Sequence, residues 1–210
     1  MVKAAGAGDR AAVESALRAG ARVDDSGAGR RTALDVAIWS DHLSVVELLL
    51  AEGADPNQPI GEVGETIPLR FAATYGRIDL MKVLLAAGAQ PNHHQGRTTS
   101  LMRAAALGHA DIVDLLLEHG ADVDLTVPPF GSPLTSAAHN GRTEIVRKLL
   151  DRGARVTPAA LDAVEKGWES ALRAQGDPEQ EEHYPPGRLK EYPVIRQLIS
   201  SRLDDPRVSY

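Results

Sequence analysis

Two short motifs contain the side chains best suited to catalysis or metal binding. Ser40, Asp41 and His42 are the residue types of a hydrolase triad, but consecutive helical residues project about 100° apart and cannot form the hydrogen-bonded relay. His93 and His94 are a metal-ligand type. Neighbours on an extended turn point to opposite sides, however, and no further ligand lies at a suitable spacing. The chain also lacks GxGxxG, Walker and HExxH motifs. We therefore predict no catalytic residue, no cofactor and no metal site.

The composition is that of a folded protein with an acidic surface. The 210 residues are 43% hydrophobic and 25% charged, too apolar for intrinsic disorder, and their net charge of −6 offers no basic field to nucleic acid. There is no cysteine, no signal-peptide-like start and no run approaching the ~18 apolar residues of a membrane span. We expect a cytoplasmic protein that binds neither nucleic acid nor membranes. The excess of Arg over Lys, with abundant Ala and Gly, favours a bacterial source.

A Gly-Ala pair recurs along the chain at intervals of 32 to 35 residues, with its glycine at Gly20, Gly53, Gly88, Gly120 and Gly153. From the second pair onward, a leucine stands 19 residues before the glycine, at Leu34, Leu69, Leu101 and Leu134. Small residues follow each leucine, and pairs of apolar residues then recur at the i, i+4 spacing of an amphipathic helix. Each block therefore predicts two short antiparallel helices joined by a tight turn.

Such helix pairs are predicted to stack, because no single block can bury its own apolar face. The Gly-, Pro- and Asn-rich segments between blocks predict projecting turns. We expect a further long helix from about 158 to 175. The other helices are predicted near 33–39, 43–52, 68–75, 78–87, 100–107, 110–119, 133–140 and 143–152.

The blocks resemble ankyrin repeats, whose pattern includes T-P-L-H-x-A-A, G-H, I-V, L-L and G-A-D. Residues 132–138 (S-P-L-T-S-A-A) and 108–124 match this pattern well. The resemblance implies an all-α fold, a solenoid of stacked helix-turn-helix units with projecting β-turns, forming a single domain over 1–210. Its parts are an N-terminal capping repeat 1–24, full repeats 25–57, 58–92, 93–124 and 125–157, and a C-terminal capping repeat 158–210 with an insertion at 176–190.

Three features depart from the family pattern. The histidine that follows the leucine in ankyrin repeats is replaced by Asp35, Arg70, Met102 and Thr135, so its usual hydrogen bonds must be absent or made otherwise. Asp41 takes the glycine position of one inter-helix turn, where a left-handed conformation is less easy but tolerated. The insertion 176–190 is acidic and proline-rich. It is either a mobile loop, which we favour, or a cover over part of the binding groove.

The resemblance also implies a concave surface on which the residues five and six after each leucine commonly contact partners. These candidates are Trp39, Ser40, Thr74, Tyr75, Leu107, His139 and Asn140. If neighbouring helices stack 8–10 Å apart, Trp39, Tyr75 and Leu107 form a contiguous apolar strip; the alternative is that Trp39 merely packs on the next repeat. Phe130 belongs to a second, weaker set of turn-tip candidates with Ile60, Val63 and Val127.

The function that follows is non-catalytic binding of a partner protein of unknown identity by a monomeric chain. One alternative is an inhibitor or immunity protein that blocks a single enzyme or toxin, with the insertion entering an active site. The other is an enzyme or small-ligand receptor with a pocket between groove and insertion, which a ligand beside Trp168 would favour.

Overall fold

The computed structural model describes residues 1–27, 31–61, 66–94, 97–175 and 186–203. The chain forms two compact units, Met1–His93 and His94–Tyr210, and each is described by itself. Every regular element of the described residues is helical, and the pairings of strand type among them are the isolated bridges Ile60–Thr66 and Val127–Gly131. The all-α prediction is therefore confirmed.

The first unit contains three helix pairs. They are α1 (Val2–Gly6) and α2 (Arg10–Arg18), α3 (Ala33–Trp39) and α4 (Leu43–Ala51), and α5 (Pro68–Tyr75) and α6 (Ile78–Ala86). The Thr32 hydroxyl caps α3 by accepting from the main-chain N–H of Asp35 at 3.2 Å, while α5 begins with a proline, whose fixed φ suits the first helical position. The second helix of each full repeat buries the first of its apolar pairs, such as Val45 and Val46 of α4.

The second unit continues the pattern and ends in a longer pair. It contains α7 (Ser100–Leu107) and α8 (Ala110–Glu118), α9 (Pro133–His139) and α10 (Thr143–Asp151), then α11 (Pro158–Arg173), a 3₁₀ helix (Pro186–Lys190) and α12 (Glu191–Leu203). The predicted long helix is thus confirmed, and each other predicted helix has its counterpart with ends that agree within one residue. The predicted insertion lies mostly outside the described residues, since 176–185 are not among them.

The turns adopt the left-handed backbone that the sequence required. Asp41 has a φ of 60° and Gly141 a φ of 62°, and the glycines that end the second helices, such as Gly53, also have positive φ. The left-handed conformation predicted for Asp41 is therefore confirmed. Asp adopts this conformation more readily than most residues with a side chain.

Successive repeats within a unit are joined by the side chain that begins the second helix. The His42 ring Nε2 lies 3.1 Å from the carbonyl oxygen of Gly6, and Arg142 Nε donates to the carbonyl of Ala106 at 3.1 Å. Both contacts link residues 36 positions apart. Each contact supplies a partner for a carbonyl at the end of the first helix of the preceding repeat. Carbonyls at a helix end have no partner inside their own helix.

A second set of contacts joins the turns that follow each Gly-Ala pair. Asn57 Oδ1 accepts from the main-chain N–H of Gln90 at 2.8 Å, and Asp124 Oδ1 accepts from that of Arg155 at 2.7 Å. Asn or Asp at this position therefore holds the turn of the next repeat in register.

Two of the residues that replace the family's histidine make hydrogen bonds within or beyond their own repeat. The Asp35 carboxylate accepts two bonds of 2.9 Å from Arg31 and one of 3.2 Å from the main-chain N–H of Gly61 in the next turn. In another repeat, Thr135 Oγ1 accepts from the main-chain N–H of Ser132 at 2.8 Å. At these two positions, therefore, the replacement side chain is itself hydrogen-bonded.

Candidate functional site

Three aromatic rings form a continuous row on α3 and α5 of the first unit. The rings of Trp39 and Phe71 contact edge to face with centroids 4.9 Å apart, and Phe71 and Tyr75 follow with centroids 4.6 Å apart. Phe71 is buried, whereas Trp39 remains 42% exposed and Tyr75 57% exposed. We call these three residues the aromatic surface. Trp39 therefore packs on the next repeat and still presents much of its ring to solvent.

Arg31 helps to fix the Trp39 side chain. The guanidinium carbon of Arg31 lies 5.9 Å from the centroid of the Trp39 ring, within the range of a cation–π contact. The same guanidinium donates two hydrogen bonds to Asp35. Because Asp35 is itself held by the Gly61 N–H, the arginine is anchored through Asp35 to the next turn.

Sequence reasoning missed Phe71, although a signal for it was present. Phe71 and Tyr75 are four residues apart on one helix, so their side chains share a face. That spacing predicts a link between the two exposed aromatics. Two further candidates flank the row: Ser40 is exposed, while the hydroxyl of Thr74 donates to the main-chain carbonyl of Arg70 at 2.8 Å and is partly buried.

The second unit contains a cleft of about 360 Å³ that brings together three other candidates, Phe130, His139 and Asn140. We call it the α9–α11 cleft, because its remaining walls come mainly from those helices and from the turn before α9. The other lining residues are Ala106, Pro129, Gly131, Thr135, Ser136, Ala159, Asp162, Ala163 and Lys166. Leu107 lies at the end of α7, partly exposed, and is not among them.

The cleft depends on a close approach of α11 to α9. A side chain at Gly167 would bring its Cβ into overlap with the carbonyl oxygen of His139, so only glycine fits there. The hydroxyl of the buried Tyr192 donates to the same carbonyl at 3.0 Å. Burial lowers the pKa of Arg142, which follows the turn after α9, and the charge of Arg188 lowers it further. The C-terminal helices therefore position the end of α9 that carries two candidate residues.

The turn-tip candidates fare differently. Phe130 is 46% exposed, but Ile60 and Val127 are buried, so the side chains of these two turn-tip candidates are not available to a partner. Each begins an antiparallel bridge, to Thr66 and Gly131 respectively, and the folded-back turn directs these side chains inward. Val63 lies outside the described residues.

Neither histidine motif forms a chemical site in the described part of the chain. Asp41 pairs with Arg77 at 2.6 Å while His42 contacts Gly6, so they engage different partners. No group of three or more His, Asp or Glu side chains suitable for a metal ion occurs among the described residues. None of their helices combines the length and apolar character needed to cross a bilayer.

Ankyrin repeat models match this chain in two places. A model of three ankyrin repeats matches residues 69–160, and a single-repeat model matches residues 30–59. The two matches together cover more than half of the chain. The chain belongs to the ankyrin repeat family. Ankyrin repeats are in general protein–protein interaction modules, so membership places this protein in a class that binds other proteins.

Relatives of this ankyrin repeat protein are much longer than the matched segment. An ankyrin repeat and KH domain-containing protein of Caenorhabditis briggsae is 35% identical over 147 residues, which is 68% of this chain and 5% of the relative. The human ankyrin repeat and SOCS box protein 11 is 33% identical over 87 residues, covering 41% and 26% of the two chains. The crystal structure of the human ASB11 ankyrin repeat domain matches with a TM-score of 0.64 at 25% identity, over 92% of this chain and 96% of that one. These relatives are eukaryotic, and the bacterial source remains a prediction.

Proposed function

We propose that this ankyrin repeat protein is a non-catalytic module that binds a partner protein through the groove formed by its first helices and turns, with the aromatic surface as the main contact. One observation carries the proposal: Trp39 and Tyr75 are 42% and 57% exposed although both belong to one packed row with Phe71. Rigid, exposed aromatic side chains lose little conformational entropy when a partner covers them, and Trp and Tyr are enriched at the energetic centres of interfaces.

The proposal gives smaller roles to the other candidates. Ser40 and Thr74 flank the aromatic surface and supply polar atoms at its rim. Leu107, with Phe130, His139 and Asn140 of the α9–α11 cleft, supplies contacts of the second unit by itself. Exclusion of water by such neighbours strengthens a central hot spot even when each adds little itself.

The non-catalytic part of the proposal rests on the separation of Asp41 and His42, whose side chains engage Arg77 and Gly6 rather than each other. A net charge of −6 supports a protein partner over nucleic acid. The proposal includes a monomeric chain that acts in the cytoplasm.

A capture experiment with matched variants tests the proposal. The wild-type chain, a Trp39→Ala/Tyr75→Ala variant and a Leu172→Ala variant are immobilised and exposed to the same lysate, and bound proteins are quantified. Leu172 is the control because it is 50% exposed on α11 and belongs neither to the aromatic surface nor to the lining of the α9–α11 cleft. We expect proteins enriched on the wild type and on the Leu172 variant to be lost from the double variant. Equal recovery on all three, with each variant still folded, would contradict the role of the aromatic surface.

A further inference from the structure

Two charged side chains on α11 lack, within the described residues, the ion pairs that the other charged side chains of that helix form. Glu165 pairs with Arg196 at 2.8 Å, and Glu169 pairs with Arg173 at 3.2 Å. The side chains of Asp162 and Lys166, by contrast, form no ion pair or hydrogen bond with any residue in the described ranges.

Asp162 and Lys166 both line the α9–α11 cleft. They stand one helical turn apart, about 6 Å along the helix axis. Opposite charges at this spacing usually pair with each other on a solvated face, yet these two do not. Unpaired charges of opposite sign therefore stand side by side at the cleft.

Apart from the His139 imidazole, the remaining lining of the cleft is apolar or already hydrogen-bonded. Phe130 is 46% exposed, and Ala159 and Ala163 add small apolar surface beside the two charges. The hydroxyls of Thr135 and Ser136 donate to the carbonyl of Ser132 at 2.9 Å each. The Asn140 amide donates to the Ser136 carbonyl at 2.9 Å. Asp162 and Lys166 are thus the charged groups of the cleft available to a ligand.

We propose that the α9–α11 cleft binds an extended peptide segment of the partner protein in which an acidic and a basic side chain lie two residues apart, next to an apolar side chain. The acidic group pairs with Lys166, the basic group with Asp162, and the apolar side chain covers Phe130. Alternate residues of an extended strand lie on one face about 6.6 to 6.8 Å apart. That separation matches the one helical turn between the two charges of α11.

This proposal names the chemistry of a partner, and it rests on the proposed function only in that the partner is a protein. Its test therefore uses synthetic peptides and does not need the natural partner. Fluorescein-labelled octapeptides carry leucine, glutamate, serine and lysine in that order, or in the reverse order, within a glycine–serine background. Control peptides place glutamate and lysine next to each other, replace both by glutamine, or carry two lysines or two glutamates at the original spacing.

Binding to the full-length chain is measured by fluorescence anisotropy. We expect at least one patterned peptide to bind more tightly than every control, with an affinity that falls as salt rises. Asp162→Ala and Lys166→Ala should each weaken binding about three- to fivefold, as for exposed ion pairs, and Phe130→Ala about tenfold. Lys166→Asp should reverse the preference, so that the peptide with two lysines becomes the tighter ligand.

Two matched variants complete the experiment. Glu169→Ala removes a charge of α11 that is already paired, and Trp39→Ala/Tyr75→Ala removes the aromatic surface; neither should change peptide affinity. If the aromatic double variant loses the captured proteins but binds the peptides unchanged, the two proposals concern different surfaces and are tested independently. The cleft proposal is overturned if no peptide binds, if the controls bind equally, or if folded Asp162 and Lys166 variants keep wild-type affinity.

Discussion

The hydroxyl of Tyr192 donates a 3.0 Å hydrogen bond to the main-chain carbonyl of His139, 53 residues earlier in the chain. This bond ties α12 to the last residue of α9. The same carbonyl lies against Gly167 of α11, so three helices meet at one backbone oxygen. The two C-terminal helices therefore cover the last full repeat and also hold the residues that face the α9–α11 cleft.

Tyr192→Phe should lower the free energy of unfolding by about 1 to 2 kcal/mol. The substitution keeps the buried ring but removes the donor to the His139 carbonyl, and an unsatisfied buried carbonyl adds to the lost bond. Urea denaturation followed by circular dichroism measures the change. Tyr75→Phe is the control, because the Tyr75 side chain is 57% exposed and its hydroxyl can be solvated. Equal stability of both variants would contradict the importance of this bond.

The sign of the change in the free energy of unfolding of Gly167→Ala shows whether tertiary packing or helix propensity dominates at this position. In an exposed helix, alanine in place of glycine stabilises by about 1 kcal/mol. At 167 the new Cβ would overlap with the His139 carbonyl oxygen, so α11 must move away from α9. We expect a loss of about 1 to 3 kcal/mol, the usual range for overpacking.

The control for Gly167 is Gly6→Ala in α1. A Cβ there would have its nearest neighbours 3.7 Å away on Val36, an ordinary contact distance. This variant should be as stable as the wild type or more so. A Gly167 variant that gains stability, like the Gly6 control, would show that the close approach of α11 to α9 is not required.

Helix bounds were predictable because each helix end has a local chemical cause. The left-handed turns at Asp41 and Gly141 and the capping residue Thr32 act on their own segments, so the sequence pattern contains them. The burial of Ile60 was not predictable in this way. It depends on how the turn folds back on the helices, which no residue within the turn specifies.

The candidate site was predictable in part, for a related reason. Exposure of Trp39 and Tyr75 followed from their position after the repeat leucine. The unpaired state of Asp162 and Lys166 did not, because the sequence spacing predicts an ion pair between them. Side-chain pairing is decided by neighbouring helices, and the approach of α9 to α11 varies with the residues at the contact.

Ser100→Pro should stabilise the protein by about 0.4 to 1 kcal/mol. Ser100 begins α7 at the position that proline occupies in α5 and α9, and Thr99 before it already has the extended φ of −67° and ψ of 165° that precede a proline. The Ser100 hydroxyl is buried with no hydrogen-bond partner, so its loss removes a penalty. Proline also restricts the unfolded chain.

Thermal unfolding of Ser100→Pro and Ser100→Ala separates these two effects. Alanine removes the hydroxyl without restricting the backbone, so it should give a smaller gain than proline. A proline variant less stable than the alanine variant would mean that the backbone at 100 is not preorganised for proline.

Lys148 should contribute stability that is lost only at high pH. Its ammonium lies 2.6 Å from the Asp114 carboxylate, and this hydrogen bond raises the pKa of Lys148. A raised pKa in the folded state means that the contribution is complete below the ordinary lysine value of about 10.4 and disappears as pH rises through the folded value. Lys148→Met should therefore destabilise by less than about 1 kcal/mol at pH 7, because the pair is partly exposed.

Urea titrations of the wild type and Lys148→Met at pH 7, 9 and 11 measure this difference. The difference in the free energy of unfolding should be equal at pH 7 and pH 9 and smaller at pH 11. Lys82→Met is the control, since Lys82 lies 3.6 Å from Asp79 and both side chains are more than half exposed. A difference between wild type and Lys148→Met that shrinks already between pH 7 and 9 would contradict the direction of the pKa shift.

Trp39→Ala should lower both the free energy of unfolding and the affinity for a partner, because the Trp39 side chain is partly packed and partly exposed. A fully buried aromatic side chain contributes about 3 to 5 kcal/mol, but Trp39 is 42% exposed and contacts Phe71 by its edge. We therefore expect a loss of about 2 kcal/mol in the free energy of unfolding. Tyr75→Ala, at 57% exposure, should lose less than about 1 kcal/mol.

Affinity for a captured partner should fall by a similar amount in Trp39→Ala and Tyr75→Ala. If the aromatic surface is the main contact, each single variant weakens binding by about 2 kcal/mol, close to thirtyfold, measured by calorimetry at a temperature where the variant is folded. Tyr75→Ala is the decisive variant, because its fold is expected to remain nearly intact while its contact is lost. Wild-type affinity in Tyr75→Ala together with weak binding in Trp39→Ala would mean that Trp39 acts through packing, and would contradict the aromatic surface as the main contact.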